Sequence, residues 1–105
     1  MTNLDYIFED FYNRRLMLVE EKQNGGALWP AQRMTFRVLD QMLSSDAAKR
    51  GVDYWGFYLV RMPTGCTMIG PGVTLNNQAV TVEALRDHLN FKHKVCDGWF
   101  GAAIK

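Results

Sequence analysis

The chain has 105 residues, of which 48% are hydrophobic and 12% aromatic, and 12 basic against 11 acidic side chains give a net charge of +1. This composition excludes an intrinsically disordered chain, and the length is that of one cooperative domain spanning residues 1–105. A net charge near zero provides no long-range attraction to a polyanion, so neither nucleic acid nor an anionic membrane is expected as a partner.

The N-terminal sequence and the cysteine content predict a cytoplasmic protein. The first ten residues, MTNLDYIFED, contain acidic side chains and lack the apolar stretch of a signal peptide. Two cysteines, Cys66 and Cys96, are too few for a disulfide framework. Residues 62–82 are uncharged, but the prolines and glycines among them exclude a membrane helix.

The first 51 residues hold seven basic and seven acidic side chains, which is typical of helices with solvated faces. One helix is predicted over residues 4–22, with Arg15 near the middle of its apolar face. A second helix is predicted to begin at Trp29-Pro30, because proline is well tolerated in the first turn. Its predicted apolar face consists of Met34, Val38, Leu39, Met42 and Leu43, and its predicted polar face of Arg33, Arg37 and Asp40.

The second half of the chain predicts a sheet, since Arg61 is the only charged residue between Asp53 and Glu83. Residues 53–62, DYWGFYLVRM, have the aromatic and branched side chains of a strand that is apolar on both faces. Asn76-Asn77 predicts a small hairpin, and Thr81 is a suitable N-cap for a third helix. The predicted fold class is therefore α+β: two N-terminal helices packed on a small, mainly antiparallel sheet, with a third helix near the C-terminus.

No metal or cofactor site is predicted. His88, His93, Cys96 and Asp97 fall within ten residues, but their spacing matches no ligand template. The glycines at positions 65, 70 and 72 lack the lysine of a phosphate-binding loop.

Two alternatives remain open beside the main prediction. A nucleic-acid-binding regulator would use Arg33 and Arg37 on the second helix together with Lys92 and Lys94. A small cysteine-dependent enzyme would need a base beside its thiol. Its candidate pairs join Cys66 or Cys96 with His88 or His93.

The main prediction is a non-enzymatic protein that binds another protein, or a second copy of itself, and acts as an inhibitor, regulator or adaptor. With 13 aromatic residues and six methionines, the chain has more large apolar side chains than such a small fold buries easily. The predicted partner-binding residues are Tyr54, Tyr58, Arg61, Met62 and Arg15. For Arg15 two roles are open, namely pairing with an internal carboxylate or facing a groove that accepts an anionic group.

Overall fold

A mixed five-stranded sheet forms the centre of the protein, in the spatial order β1-β2-β3-β4-β5. The computed structural model describes residues 4–23, 28–63 and 69–101. Helix α1 connects β2 to β3, which are parallel, whereas the other three strand pairs are antiparallel. The elements are β1 (Tyr6–Asp10), β2 (Arg15–Gln23), α1 (Pro30–Asp46), a 3₁₀ turn (Ala48–Arg50), β3 (Asp53–Met62), β4 (Thr74–Leu75), β5 (Gln78–Ala79) and α2 (Val82–Leu89).

The predicted N-terminal helix is wrong, because residues 6–23 form the β1–β2 hairpin. A tight turn joins the strands, and the Asp10 carboxylate accepts hydrogen bonds from the Asn13 backbone N–H and from Asn13 Nδ2. Arg14 completes the turn in the left-handed region, with φ of 52°. Residues 6–23 therefore form no helix, which rules out the predicted pair of N-terminal helices, and the sheet is mixed because its central pair, β2 and β3, is parallel.

Burial of β2 on both faces explains why its sequence resembles a helix. Met17 and Val19 belong to the core on one side of the sheet, and Leu18 belongs to the core on the other side. A strand covered on both faces is a continuous apolar run, which lacks the alternation that distinguishes a half-buried strand from a helix.

The predictions for α1, β3 and α2 are confirmed in position. Helix α1 begins after Trp29, whose backbone N–H donates to the Gln32 side chain, and Pro30 occupies its first turn. Thr81 caps α2 by accepting a hydrogen bond from the Ala84 N–H at 3.0 Å. Neither described helix is long and apolar enough to cross a bilayer.

A β-bulge in β3 changes which side chains share a face. Leu16 pairs with Tyr54 and Met17 pairs with Gly56, so Trp55 is the extra residue. Gly56 has φ of +128°, and a Cβ there would lie 2.9 Å from the Cα of Gly98. The bulge places Tyr54 on the α1 side and Trp55 on the α2 side, opposite to the faces that strict alternation along the strand would give them.

The two helices cover opposite faces of the sheet. Phe36 of α1 stacks on Phe57 of β3, with ring centroids 4.8 Å apart. Leu85 of α2 packs with Tyr58 and Val60 on the other face. The sheet is therefore the middle layer of three, and β3 is buried on both sides.

The face of α1 that contacts the sheet is rotated from the predicted one, although Leu39 and Leu43 pack against the core as predicted. Asp40, predicted to be on the solvated face, is only 2% exposed, and its carboxylate accepts a hydrogen bond from the Tyr54 hydroxyl at 2.5 Å. Burial raises the pKa of Asp40, and the hydrogen bond from Tyr54 opposes that rise. Because Asp40 and Phe36 face inward, Met34, Val38 and Met42 face outward.

A buried histidine connects α2 to the segment that follows it. His88 is fully buried, and its Nδ1 accepts a hydrogen bond from the Val95 N–H at 3.0 Å. The rings of Tyr58 and Trp55 lie edge-on to the imidazole at 4.3 and 5.3 Å. Burial, with a smaller contribution from the charge of Lys94, lowers the pKa of His88 to about 4. The imidazole is therefore neutral at physiological pH, and protonation of Nδ1 would break its bond to Val95.

Removal of the Tyr54 hydroxyl should destabilise the fold. Tyr54→Phe leaves the buried Asp40 carboxylate without that donor, so we expect the free energy of unfolding in urea to fall by about 1–3 kcal/mol. The double variant Asp40→Leu/Tyr54→Phe removes the buried carboxylate together with this donor and should recover stability relative to Tyr54→Phe. A Tyr54→Phe variant as stable as the natural protein would contradict this role.

The stability contributed by His88 should decrease as the pH falls from 6.5 to about 4. In this range the unfolded chain binds a proton that the folded protein excludes, because the pKa of His88 is lowered on folding. We expect the unfolding free energy of the natural protein minus that of His88→Gln to fall by roughly 3 kcal/mol across the range and to be constant above it. Asp40 and Glu20, whose pKa values are raised on folding, make the fold more stable as the pH falls. This effect is present in both proteins, so it cancels when their unfolding free energies are subtracted. A difference in unfolding free energy that does not change between pH 6.5 and 4 would contradict a lowered pKa for His88.

Candidate protein-interaction surface

The predicted partner-binding residues of β3 are core residues or lie close to the core. Tyr58 is fully buried and Met62 is 5% exposed, both on the α2 side of the sheet. The Tyr58 hydroxyl lies within hydrogen-bonding distance of the carbonyl oxygens of Trp55, at 3.1 Å, and Cys96, at 3.0 Å. Tyr54 is half-buried against the α1-side core. These three side chains pack within the layers of the fold, so Tyr58 and Met62 expose little surface to a partner.

The two arginines of the predicted set lie far apart. Arg61 is half-buried in β3, where it is paired with Lys22 of β2 and Thr74 of β4. Arg15 bonds to the Asp10 carboxylate at 2.6 Å and to the Phe91 carbonyl oxygen at 2.9 Å. Its guanidinium also lies 5.5 Å from the centre of the Phe91 ring. Arg15 therefore pairs with an internal carboxylate, which occupies the position that a bound anion would take.

The structure does not assemble a reactive cysteine among the described residues. Cys96 is half-buried, and burial raises the pKa of its thiol, which disfavours the thiolate. The Nδ1 atom of His88 is occupied by the Val95 N–H, and His93 is exposed after α2. Cys66 lies outside the described residues. Within the described ranges, no cluster of His, Cys, Asp and Glu is arranged to hold a metal ion.

The basic residues of the nucleic-acid alternative do not form one surface. Arg33 and Arg37 are exposed on α1. Lys92 and Lys94 follow α2, which covers the other face of the sheet, and Lys94 lies 3.8 Å from Asp97 and 5.7 Å from the Trp55 ring centre. The sheet separates the two basic pairs.

The solvent-facing side of α1 is unusually apolar. Met34, Val38 and Met42 are 70%, 49% and 61% exposed, and their spacing of four residues aligns them along the helix. Trp29, 73% exposed, is the N-cap residue of α1. We call these four residues the outer stripe. A run of large exposed side chains of this kind is typical of protein interfaces.

Two surface hollows flank the outer stripe. The larger, of about 510 Å³, lies between α1, β2 and the 3₁₀ turn, with Leu16, Leu39 and Met42 in its wall. The smaller, of about 370 Å³, lies beside Met34, and Arg33 and Arg37 contribute to its lining. The outer stripe is therefore a ridge between an apolar hollow and one with basic residues.

A second apolar patch lies at the tip of the β1–β2 hairpin. Phe11 and Tyr12 are 75% and 92% exposed, and their rings meet edge-on at 5.9 Å. Sequence reasoning missed this patch because both residues lie within the helix predicted over residues 4–22, which contains no turn at this point. The signal that identifies the turn is Asp10 followed by Asn13, a pair that favours local hydrogen bonds over a continuous helix.

Sequence reasoning grouped three residues of the outer stripe correctly but assigned them to the core. Met34, Val38 and Met42 share one side of the helical projection, and an apolar side normally faces the sheet. The opposite side of the helix faces the sheet because Asp40 accepts a hydrogen bond from Tyr54. Tyr54 belongs to β3, so the sequence of α1 alone does not reveal this contact.

Comparison with protein-family models, with curated protein sequences and with solved structures finds no match for this chain.

Polar replacement of the outer stripe should leave the fold intact. The triple variant Met34→Gln/Val38→Gln/Met42→Gln changes exposed side chains, so we expect its unfolding free energy to stay within about 0.5 kcal/mol of the natural value. Phe36→Ala, on the inner side of the same helix, should cost about 3–5 kcal/mol. A triple variant as damaging as Phe36→Ala would place the stripe in the core instead.

Proposed function

We propose that this chain is a small protein-interaction domain that binds another protein through the outer stripe of α1 and acts as an inhibitor, regulator or adaptor by covering part of that partner. The observation that supports this proposal is the orientation of α1. The helix buries a carboxylate, Asp40, while Met34, Val38 and Met42 remain in solvent. Burying the apolar side chains and exposing the carboxylate would be the ordinary arrangement of an amphipathic helix.

The types of side chain in the stripe also favour binding to a protein. Tryptophan and methionine are enriched at the centres of interfaces, and methionine adapts its shape to a partner. The adjoining hollow of about 510 Å³, with Leu16 and Leu39 in its wall, offers space for an anchoring side chain of the partner. We further propose that the protein acts in the cytoplasm, which its sparse cysteines support.

Site-specific crosslinking in the native host tests the proposal. A photoreactive amino acid placed at Val38 should crosslink to one defined protein. The same amino acid at Gln78, an exposed position of β5 remote from α1 in the strand order, should not crosslink to it. Failure to crosslink from Val38, or an identical product from Gln78, would refute binding through the stripe.

Quantitative binding of the purified partner supplies the second half of this test. Val38→Glu should weaken the complex by roughly ten-fold or more, because it places a charge in the centre of the apolar contact. Gln78→Glu adds the same charge away from the stripe and should leave the affinity unchanged. Equal effects of the two variants would contradict the proposal.

A further inference from the structure

We infer that the partner of the outer stripe is an amphipathic helix whose apolar residues pack along the stripe and whose acidic residues lie on one flank, beside Arg33 and Arg37. This inference rests on the proposed function and adds the chemistry of the partner. Three properties of α1 and its surroundings carry it, namely the shape of the ridge, the charge of its flank and the poor fit of a second copy.

The shape of the surface matches a helix. The row from Met34 to Met42 advances about 12 Å along the helix axis and forms an i, i+4 ridge of the kind that packs into the groove of a facing helix. Hollows on both sides of the ridge, of about 510 and 370 Å³, provide the grooves into which a facing helix inserts its side chains.

The charge around the stripe is one-sided. Residues 30–50 contain four basic and two acidic side chains. One of the acids, Asp40, is buried against Tyr54, and the other, Asp46, pairs with Arg50. Arg33 and Arg37 are exposed, and neither takes part in an ion pair within the described residues. A partner therefore gains most from carboxylates on the flank that meets these two arginines.

The opposite flank has a different character. Asp46 and Arg50 line the larger hollow on that flank and form an ion pair with each other. Carboxylates of a partner on that flank would therefore find no unpaired basic side chain. The acidic residues are therefore expected on one flank of the partner helix only.

A second copy of this chain fits the stripe poorly. In an antiparallel two-fold pair of α1 helices, the flank with Arg33 and Arg37 faces the same flank of the copy, so four arginines meet. In a parallel pair it faces the flank of the larger hollow, whose carboxylate, Asp46, is already paired with Arg50. Neither arrangement places an unpaired carboxylate opposite the arginines, so charge complementarity favours a different chain.

A protein helix also fits better than a polyanion or a lipid surface. The outer stripe offers apolar contacts that a phosphate backbone cannot use. Lys92 and Lys94 lie beyond the sheet, and two arginines are fewer than the basic cluster that holds a protein on an anionic membrane. The discrete hollows beside the ridge suit individual side chains of a protein.

Selection from a random-peptide display library tests the inference directly. The natural protein should enrich peptides with apolar residues at helical spacing and with Asp or Glu on one flank. Arg33→Glu/Arg37→Glu should bind these peptides roughly ten-fold more weakly and should select basic flanks instead. The matched control Arg86→Glu/Lys92→Glu makes the same charge change on the α2 side of the sheet, where Arg86 belongs to α2 and Lys92 follows it. This control should change neither the affinity for the peptides nor the preference for acidic flanks.

The outcomes separate this inference from the proposed function. Enriched peptides that depend on Val38 but show no acidic bias would overturn the acidic-helix inference and retain binding through the stripe. Enriched peptides that are insensitive to Val38→Glu, or no enrichment, would count against both.

Three further measurements test whether the outer stripe instead binds a second copy of this chain, a lipid membrane or a nucleic acid. A dimer in sedimentation equilibrium that Val38→Glu dissociates would overturn the inference in favour of a second copy. Binding to phosphatidylserine-containing vesicles, or to duplex DNA or single-stranded RNA, that Arg33→Glu/Arg37→Glu abolishes would overturn it in favour of that surface. The expected results are a monomer and no binding to any of these probes.

Discussion

The hydrogen bond between Asp40 and Tyr54 is the constraint that determines the surface of this protein. It connects the middle of α1 to the start of β3 and sets the rotation of the helix about its own axis. A carboxylate in a nearly dry position is tolerated only when it has donors, so this rotation cannot change without leaving a charge unpaired. The apolar row of Met34, Val38 and Met42 is consequently held in solvent by the core itself.

The bulge at Trp55 makes that bond possible. Without the extra residue, strict alternation along β3 would place Tyr54 on the α2 side, away from Asp40. The bulge is accommodated by Gly56, whose backbone approaches Gly98 so closely that a side chain would not fit. The Trp99 N–H then donates to the Phe57 carbonyl oxygen at 2.7 Å, which fixes the segment after α2 against β3. The strand irregularity and the helix orientation are therefore parts of one arrangement.

The features predictable from the sequence are those with local signals. Pro30 in a first turn, the aromatic run of β3, Asn76-Asn77 and the Thr81 cap each act within a few residues, and the structure contains the elements they predict. The hairpin of β1 and β2 was not predictable by periodicity, since Met17, Leu18 and Val19 are apolar on both faces. The outer stripe was also missed, because its exposure depends on Tyr54, which comes to Asp40 only in the folded chain. The structure of the hairpin and the exposure of the outer stripe are determined by contacts with residues distant in the sequence rather than by local preferences.

The parallel pairing of β2 with β3 has a consequence for the order in which the chain folds. β2 contacts its central neighbour only after α1 and the whole of β3 have been synthesised, whereas its hairpin with β1 is local. Until then, the apolar run through Leu18 and Val19 has a free edge that can pair with other chains. The nascent protein is thus most prone to aggregation between completion of β2 and completion of β3, and rapid formation of α1 shortens that interval.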